Sequence, residues 1–189
     1  MDVYTTEEQQ IEAIKKWWKT NGNSVLIGIA LAIAAVLGWQ TWSQSTQTNR
    51  EAAAVLYGQV VEAAKLAEQH RLSGNAEELQ GQVATLSHLG EQLKTDYVGS
   101  EYAVFGAMML GKEAMLAGNN EAAASQLQWA MANTASEPTR LIANLRLARV
   151  LASMEKYDEA LKALDSVQPG AQADAYEEVR GDIYVAMGD

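Results

Sequence analysis

The run Val25 to Trp42 (VLIGIALAIAAVLGWQTW) constrains this chain more than any other feature, because eighteen successive residues contain no Asp, Glu, Lys or Arg. At about 1.5 Å of rise per helical residue the run reaches about 27 Å, close to the roughly 30 Å hydrocarbon thickness of a bilayer. No residue within it carries the roughly 2.5 to 3.5 kcal/mol insertion penalty of a central charge, so a single membrane crossing is expected. Trp17 and Trp18 precede the run and Trp39 and Trp42 close it, where amphipathic rings favour the headgroup layer; these four read as interface anchors. Lys15, Lys16 and Lys19 stand just before the span, whereas the first charges after it are Arg50 and Glu51. The positive-inside bias therefore places the N-terminus in the cytoplasm and exports the bulk of the chain. A buried core helix and a cleaved signal peptide are the competing readings. The second is disfavoured by a long leader carrying Asp2, Glu7, Glu8 and Glu12, and by an apolar run that continues unbroken past Ala32 and Ala34. The expected division is a cytoplasmic amphipathic segment over 1–23, a transmembrane helix over 24–43 and an exported domain over 44–189.

Within the leader, Glu7, Ile11, Ile14 and Trp18 fall at spacings of four, three and four, which puts them on one helix face. Asn21 and Gly22 are expected to interrupt that helix, which would then lie on the inner membrane surface; binding of a cytosolic partner is the alternative. Inside the span, Ala30, Ala34 and Gly38 recur every four residues and form a small-residue strip suited to close approach by another helix, although alanine-rich spans also occur without that role.

The formal charge is −10, and the part after the span carries 11 basic against 20 acidic residues, a net of −9. Phosphate neutralisation needs a cationic stripe, so nucleic acid is excluded as a partner class. With no cysteine, disulfides and thiolate chemistry are absent and the exported domain must be stabilised by packing.

That domain reads as all-α, since only Pro138 and Pro169 occur in it and no stretch sustains strand alternation. A helix over about Thr46 to Leu72 carries Ala53, Leu56, Tyr57, Val60, Ala64 and Ala67 on one face, ending at Ser73, Gly74 and Asn75. A second carries Leu79, Val83, Leu86 and Leu93. From Ser100 the chain repeats itself. LGKEAMLAGNNEAAASQLQWA (Leu110 to Ala130) aligns without a gap on LARVLASMEKYDEALKALDSV (Leu147 to Val167), an offset of 37 residues near the tetratricopeptide period of about 34. Leu110 pairs with Leu147, Gly111 with Ala148, Ala123 with Ala160 and Leu127 with Leu164, the small residues standing where paired helices cross closely. Ser136 ahead of Glu137 and Pro138 is a helix start, and Asp158 is expected to cap the helix of Ala160, Leu161 and Leu164. Tyr176, Val179, Ile183 and Met187 give a seventh helix its apolar face. No partner helix follows Gly188 and Asp189, so the last hairpin is expected to be incomplete. The fold class expected is thus a single N-terminal transmembrane helix followed by a tetratricopeptide-like solenoid of helical hairpins.

His70 and His88 have no further ligand at metal-binding spacing, and Glu77–Glu78 and Glu177–Glu178 point about 100° apart on a helix, which suits solvated faces. Gly111–Lys112 lacks the upstream glycine and the following Ser or Thr of a phosphate loop. No catalytic residue, metal or cofactor is therefore assigned, and an enzyme is not expected.

The anchor IGIALAIAAVLGWQTW, the leader EQQIEAIKKWWKTNGNS, the stretches YAVFGAMMLGKEAM and NLRLARV, and the late VRGDIYVAMGD together resemble the YfgM family, ancillary subunits of the SecYEG translocon in the Gram-negative envelope. The resemblance runs from the first residue to the last and implies an inner-membrane protein of type II topology with a periplasmic tetratricopeptide-like domain. It further implies partnership with the translocon and the membrane-anchored chaperone PpiD, in handing exported, unfolded polypeptides to periplasmic chaperones. If the hairpins stack as tetratricopeptides do, the concave face offers Phe105, Met108, Lys112 and Met115 from one repeat and Ile142, Leu145 and Arg149, with Ala152, from the next. Flexible, polarizable methionines suit variable partners; the competing reading is that these side chains fill the core. A membrane-anchored signalling adaptor working through its cytoplasmic helix is the alternative function.

Overall fold

A computed structural model of the chain describes residues 7–188. The first six residues of the 1–23 segment, Asp189 and the side chains of Glu7 and Glu8 lie outside the described residues, so the Glu7 end of the expected leader face is not described. Among the described residues there is no strand, and the order is α1 (Glu7–Ser73), α2 (Ala76–Asp96), α3 (Glu101–Leu116), α4 (Asn120–Asn133), α5 (Glu137–Ser153), α6 (Tyr157–Asp165), one 3-10 turn (Gly170–Gln172) and α7 (Ala173–Met187). The chain is all-α. Its contacts divide it into two compact units, Met1–Thr48 and Asn49–Asp189, and α1 contributes residues to both.

In the first unit the helix runs through Asn21 and Gly22 instead of breaking there. Asn favours turns because its amide competes for backbone groups, but Asn21 Nδ2 donates to the Trp17 carbonyl at 3.1 Å, inside the helix. Gly22 is buried beneath the Trp18 indole, whose nearest atoms would stand 3.2 Å from a Cβ at this position. That cover offsets the roughly 1 kcal/mol propensity cost of a helical glycine. Within the apolar run, Leu31 is 66% and Trp39 69% exposed, so no core formed by the described residues covers it. By length and composition the helix is a candidate membrane span, and the Thr41 hydroxyl donates to the Leu37 carbonyl at 2.9 Å within the helix.

In the second unit the expected α1 face is the buried one. Ala53, Val60 and Ala67 are inaccessible, Ala63 joins them, and Leu56, Tyr57 and Ala64 pack at the margin. On α2, Leu86, Gly90 and Leu93 are buried, while Leu79 and Val83 near its start are only half-buried. The crossing of α2 and α3 is close: a Cβ on Gly90 would stand 2.9 Å from Leu110 Cγ, and one on Gly106 3.1 Å from Leu93 Cδ1. Close approach there admits nothing larger than hydrogen.

The two hairpins α3–α4 and α5–α6 reproduce the 37-residue repeat. Leu110 and Leu147, Gly111 and Ala148, Ala123 and Ala160, and Leu127 and Leu164 are all buried, and a Cβ on Gly111 would meet the Ala123 carbonyl at 3.4 Å. α5 lies at the centre of this packing, touching α4, α6 and α7. Ser136 caps α5 as expected, its hydroxyl accepting from Thr139 N at 3.3 Å. Asp158 does not cap α6. That helix begins two residues earlier than an Asp158 cap requires, at Tyr157, with Lys156 in the cap position and no side-chain hydrogen bond; Asp158 sits in the first turn, where its charge favours the helix dipole. Tyr176, Val179 and Ile183 are buried on α7, whereas Met187 is 42% exposed.

Candidate protein-binding surface

The α5 segment NLRLARV shows how a surface is positioned here. At 3.6 residues per turn, Asn144, Leu145, Leu147, Ala148 and Val150 fall inside, and Arg146 and Arg149 fall outside on a stripe with Pro138, Ile142 and Ser153. The inner residues tie down the frame. Asn144, fully buried, donates from Nδ2 to the Ala163 carbonyl at 2.9 Å, joining α5 to the end of α6. Tyr176 Oη donates to the Leu141 carbonyl at 2.8 Å, joining α7 to α5. Burial pushes the Tyr176 phenol above its ordinary value; the Asn144 side chain opposes that shift and the Glu137 charge adds to it. The single phenolic proton goes to Leu141, and Asn144 Oδ1 has no hydrogen-bond partner among the described residues.

The α3 counterpart is anchored by aromatic and ionic contacts. Tyr57 packs against Tyr102 at 5.5 Å and Phe105 at 6.0 Å between ring centroids. Glu113, only 6% exposed, meets Arg71 at 2.6 Å, and Arg71 also holds Glu68 at 2.6 Å. Lys112 Nζ lies 3.8 Å from Glu68 on the solvent side.

The residues expected on the concave face thus divide. Lys112 and Arg149 are exposed, Met115 is 44% and Ile142 39% exposed, and Phe105 is half-buried. Met108 and Leu145, which occupy equivalent repeat positions, are both buried in the core, and Ala152 is half-buried. Spacing alone did not single out Arg146, half-buried Met109 or exposed Leu116, yet the repeat offset relates Arg146 to Met109, Arg149 to Lys112 and Ser153 to Leu116. Reading the offset across the whole outer stripe would have found them.

Elsewhere several charges are paired locally. Glu91 takes Lys94 at 2.8 Å and Gln126 at 2.8 Å; burial alone would raise this carboxyl, but those hydrogen bonds and the Lys94 charge outweigh it and hold the group below its usual range. Arg180 is held by Asp165 at 2.8 Å, which raises its pKa, with Glu177 at 3.4 Å. In the apolar run Ala30, Ala34 and Gly38 are exposed, and nothing lies within 4 Å of a Cβ built on Gly38. Trp39 and Trp42 pack at 5.3 Å and Trp17 and Trp18 at 6.5 Å, all four with half or more of their surface exposed. Among the described residues no three His, Cys, Asp or Glu side chains converge as metal ligands.

A family model described as a tetratricopeptide repeat-like domain matches residues 15–189. Similar curated proteins include one from Escherichia coli (strain K12), 28% identical over 189 residues that make up 100% of this chain and 84% of that protein. Another, from Haemophilus influenzae, is 27% identical over 97% of this chain and 82% of its own length. A third, from Neisseria gonorrhoeae, is 28% identical over 99% of this chain and 83% of its own length. Each is named an ancillary SecYEG translocon subunit. No solved structure matches. The chain belongs to the tetratricopeptide repeat-like family and is related along its whole length to ancillary SecYEG translocon subunits.

Proposed function

We propose that this chain is an ancillary subunit of the SecYEG translocon, anchored in the inner membrane through residues 24–43, with residues 1–23 in the cytoplasm and 44–189 in the periplasm. The observation that carries the reading is the full-length similarity to proteins of that name, together with a helical-hairpin stack whose family is one of binding modules and not of enzymes. Anchor and stack divide the work. The Ala30, Ala34 and Gly38 strip offers close packing to a neighbouring membrane helix, and the exposed set Lys112, Met115, Ile142 and Arg149, flanked by Phe105, offers contact to polypeptides outside the cytosol. Met108 and Leu145 act from beneath by holding that surface in place. Partnership with PpiD and delivery of unfolded exported proteins to periplasmic chaperones complete the reading.

Photocrosslinking groups placed at Ala34, Met115 and Arg149 in living membranes test it. Ala34 is expected to capture a SecYEG subunit, and Met115 or Arg149 to capture PpiD or exported polypeptides. Capture of none of these, or their loss on deleting the first twenty residues, refutes the adaptor and favours signalling through the cytoplasmic helix. Protease added to spheroplasts is expected to remove the C-terminal domain; protection until lysis refutes the topology.

A further inference from the structure

The arginines of the exported part are unevenly paired. Arg71, Arg140 and Arg180 each hold a carboxylate at 2.6 to 2.8 Å. Arg146 and Arg149, one turn apart on α5 and exposed, have no ion-pair or hydrogen-bond partner among the described residues. Three nearby carboxylates are engaged by other arginines: Glu137, at the start of α5 itself, by Arg140, and Asp165 on α6 and Glu177 on α7 by Arg180. Ile142, 39% exposed, lies on the same stripe, and the repeat offset places exposed Lys112 at the position of Arg149 and half-buried Phe105 at the position of Ile142. The α5 stripe thus sets two arginines beside Ile142, whereas its α3 counterpart carries one cation, Lys112, near Glu68.

From this we infer that the stripe of Ile142, Arg146 and Arg149 docks an acidic polypeptide segment with interspersed apolar residues. Charge complementarity selects that occupant. Two exposed guanidiniums free of ion pairs present planar forks suited to carboxylates, and in a domain of net charge −9 this pair of neighbouring cations favours an acidic segment over a basic one. Ile142 beside the forks, 39% exposed, favours a segment that also offers apolar side chains. The inference rests on the adaptor reading above and names the chemistry of one of its partners.

The test uses the full chain in neutral-lipid nanodiscs and a short fluorescein-labelled Glu/Leu peptide, with a Lys/Leu peptide as its charge-reversed control. Anisotropy is expected to show binding of the acidic peptide that weakens with salt, and little binding of the basic one. Arg146→Gln with Arg149→Gln is expected to lower acidic-peptide affinity about tenfold, as two exposed ion pairs allow, with helical content unchanged. Equal binding of both peptides, or an affinity indifferent to the double substitution, overturns the inference. Displacement of the peptide by phosphatidylglycerol vesicles also overturns it and assigns the stripe to lipid headgroups. Loss of charge-dependent peptide binding with Ala34 crosslinks to SecYEG intact defeats this inference alone; intact peptide binding without those crosslinks defeats the adaptor reading alone.

Discussion

Two equivalent turns in this fold are built from unequal residues, and exchanging them measures what the difference costs. The α3–α4 turn reverses at Gly118 (φ 74°), and the α5–α6 turn, 37 residues later, reverses at Glu155 (φ 59°). Both close with the same pair of hydrogen bonds: Gly118 N to Met115 O at 3.0 Å and Asn119 N to Ala114 O at 2.8 Å in the first, Glu155 N to Ala152 O at 2.9 Å and Lys156 N to Leu151 O at 3.0 Å in the second. The next residues adopt nearly the same backbone, φ −94° and ψ 76° at Asn119 and φ −86° and ψ 59° at Lys156. Asn119 caps α4 through its side chain, which accepts from Ala122 N at 3.1 Å, and Lys156 caps nothing. A left-handed residue with a Cβ costs about 1 kcal/mol relative to glycine, and a missing cap about 0.5 to 2 kcal/mol. Grafting the first turn onto the second, Glu155→Gly with Lys156→Asn, is therefore expected to stabilise the domain by about 1 to 3 kcal/mol, or roughly 2 to 4 °C of melting temperature per kcal/mol. The two charges removed from the N-terminal end of α6, one acidic and one basic, act on the helix dipole in opposite directions and largely cancel. Thermal unfolding followed by circular dichroism reads the shift, and Gly118→Glu with Asn119→Lys is expected to reverse its sign. A graft that leaves the melting temperature unchanged or lowers it, with the helices intact, refutes the equivalence of the two turns.

Gly90→Ala is expected to melt below Gly81→Ala, since both gain about 1 kcal/mol of helix propensity but only the former overpacks against Leu110, at about 1 to 3 kcal/mol. Equal melting temperatures would refute the close crossing. Arg71→Ala is expected to cost roughly 2 kcal/mol by stranding the buried Glu113 carboxylate, less than the loss from a fully buried pair because the guanidinium is 26% exposed. Glu113→Gln, which removes the stranded charge, is expected to restore part of that loss in the same melt. Burial raises Tyr57 and Tyr176 above the ordinary tyrosine value, so their stabilisation is complete below about pH 10 and is lost as pH climbs through the raised folded values. A pH series of urea midpoints is expected to fall on the alkaline side, and Tyr176→Phe to lessen the fall. An alkaline limb identical in Tyr176→Phe would assign it to other groups.

The sequence carried most of this architecture, because what it encodes is periodicity. The buried faces of α1 and α7, the repeat offset and the small residues at the helix crossings all follow from which positions recur every three or four residues. The misreadings occurred where local chemistry is ambiguous. Asn21 and Gly22 spell a turn, but a following helix can absorb both when the amide bonds back to Trp17 and an indole covers the glycine. Asp158 is a good cap by composition, but the left-handed turn at Glu155 starts the helix earlier, and turn handedness at a non-glycine leaves no local signature. Only alignment with Gly118 exposes it.

The surface is less legible than the core for a related reason. Period separates inward from outward residues, but the positions expected on the concave face differ by less than one helical step, so Met108 and Lys112 look alike to a pattern and differ in space: one is 7% exposed and the other solvated. Burial of Met108 and Leu145 changes how the surface should be probed. Met108→Lys would place an ammonium in the core cluster and lose the fold together with any binding, so its phenotype cannot separate the two. Met115→Lys, at a 44% exposed position, is expected to leave helical content and melting temperature unchanged while lowering capture of polypeptides by a crosslinker at Arg149. A Met115→Lys protein that captures as well as the parent chain removes the α3 end from the binding surface and leaves the α5 stripe to act alone.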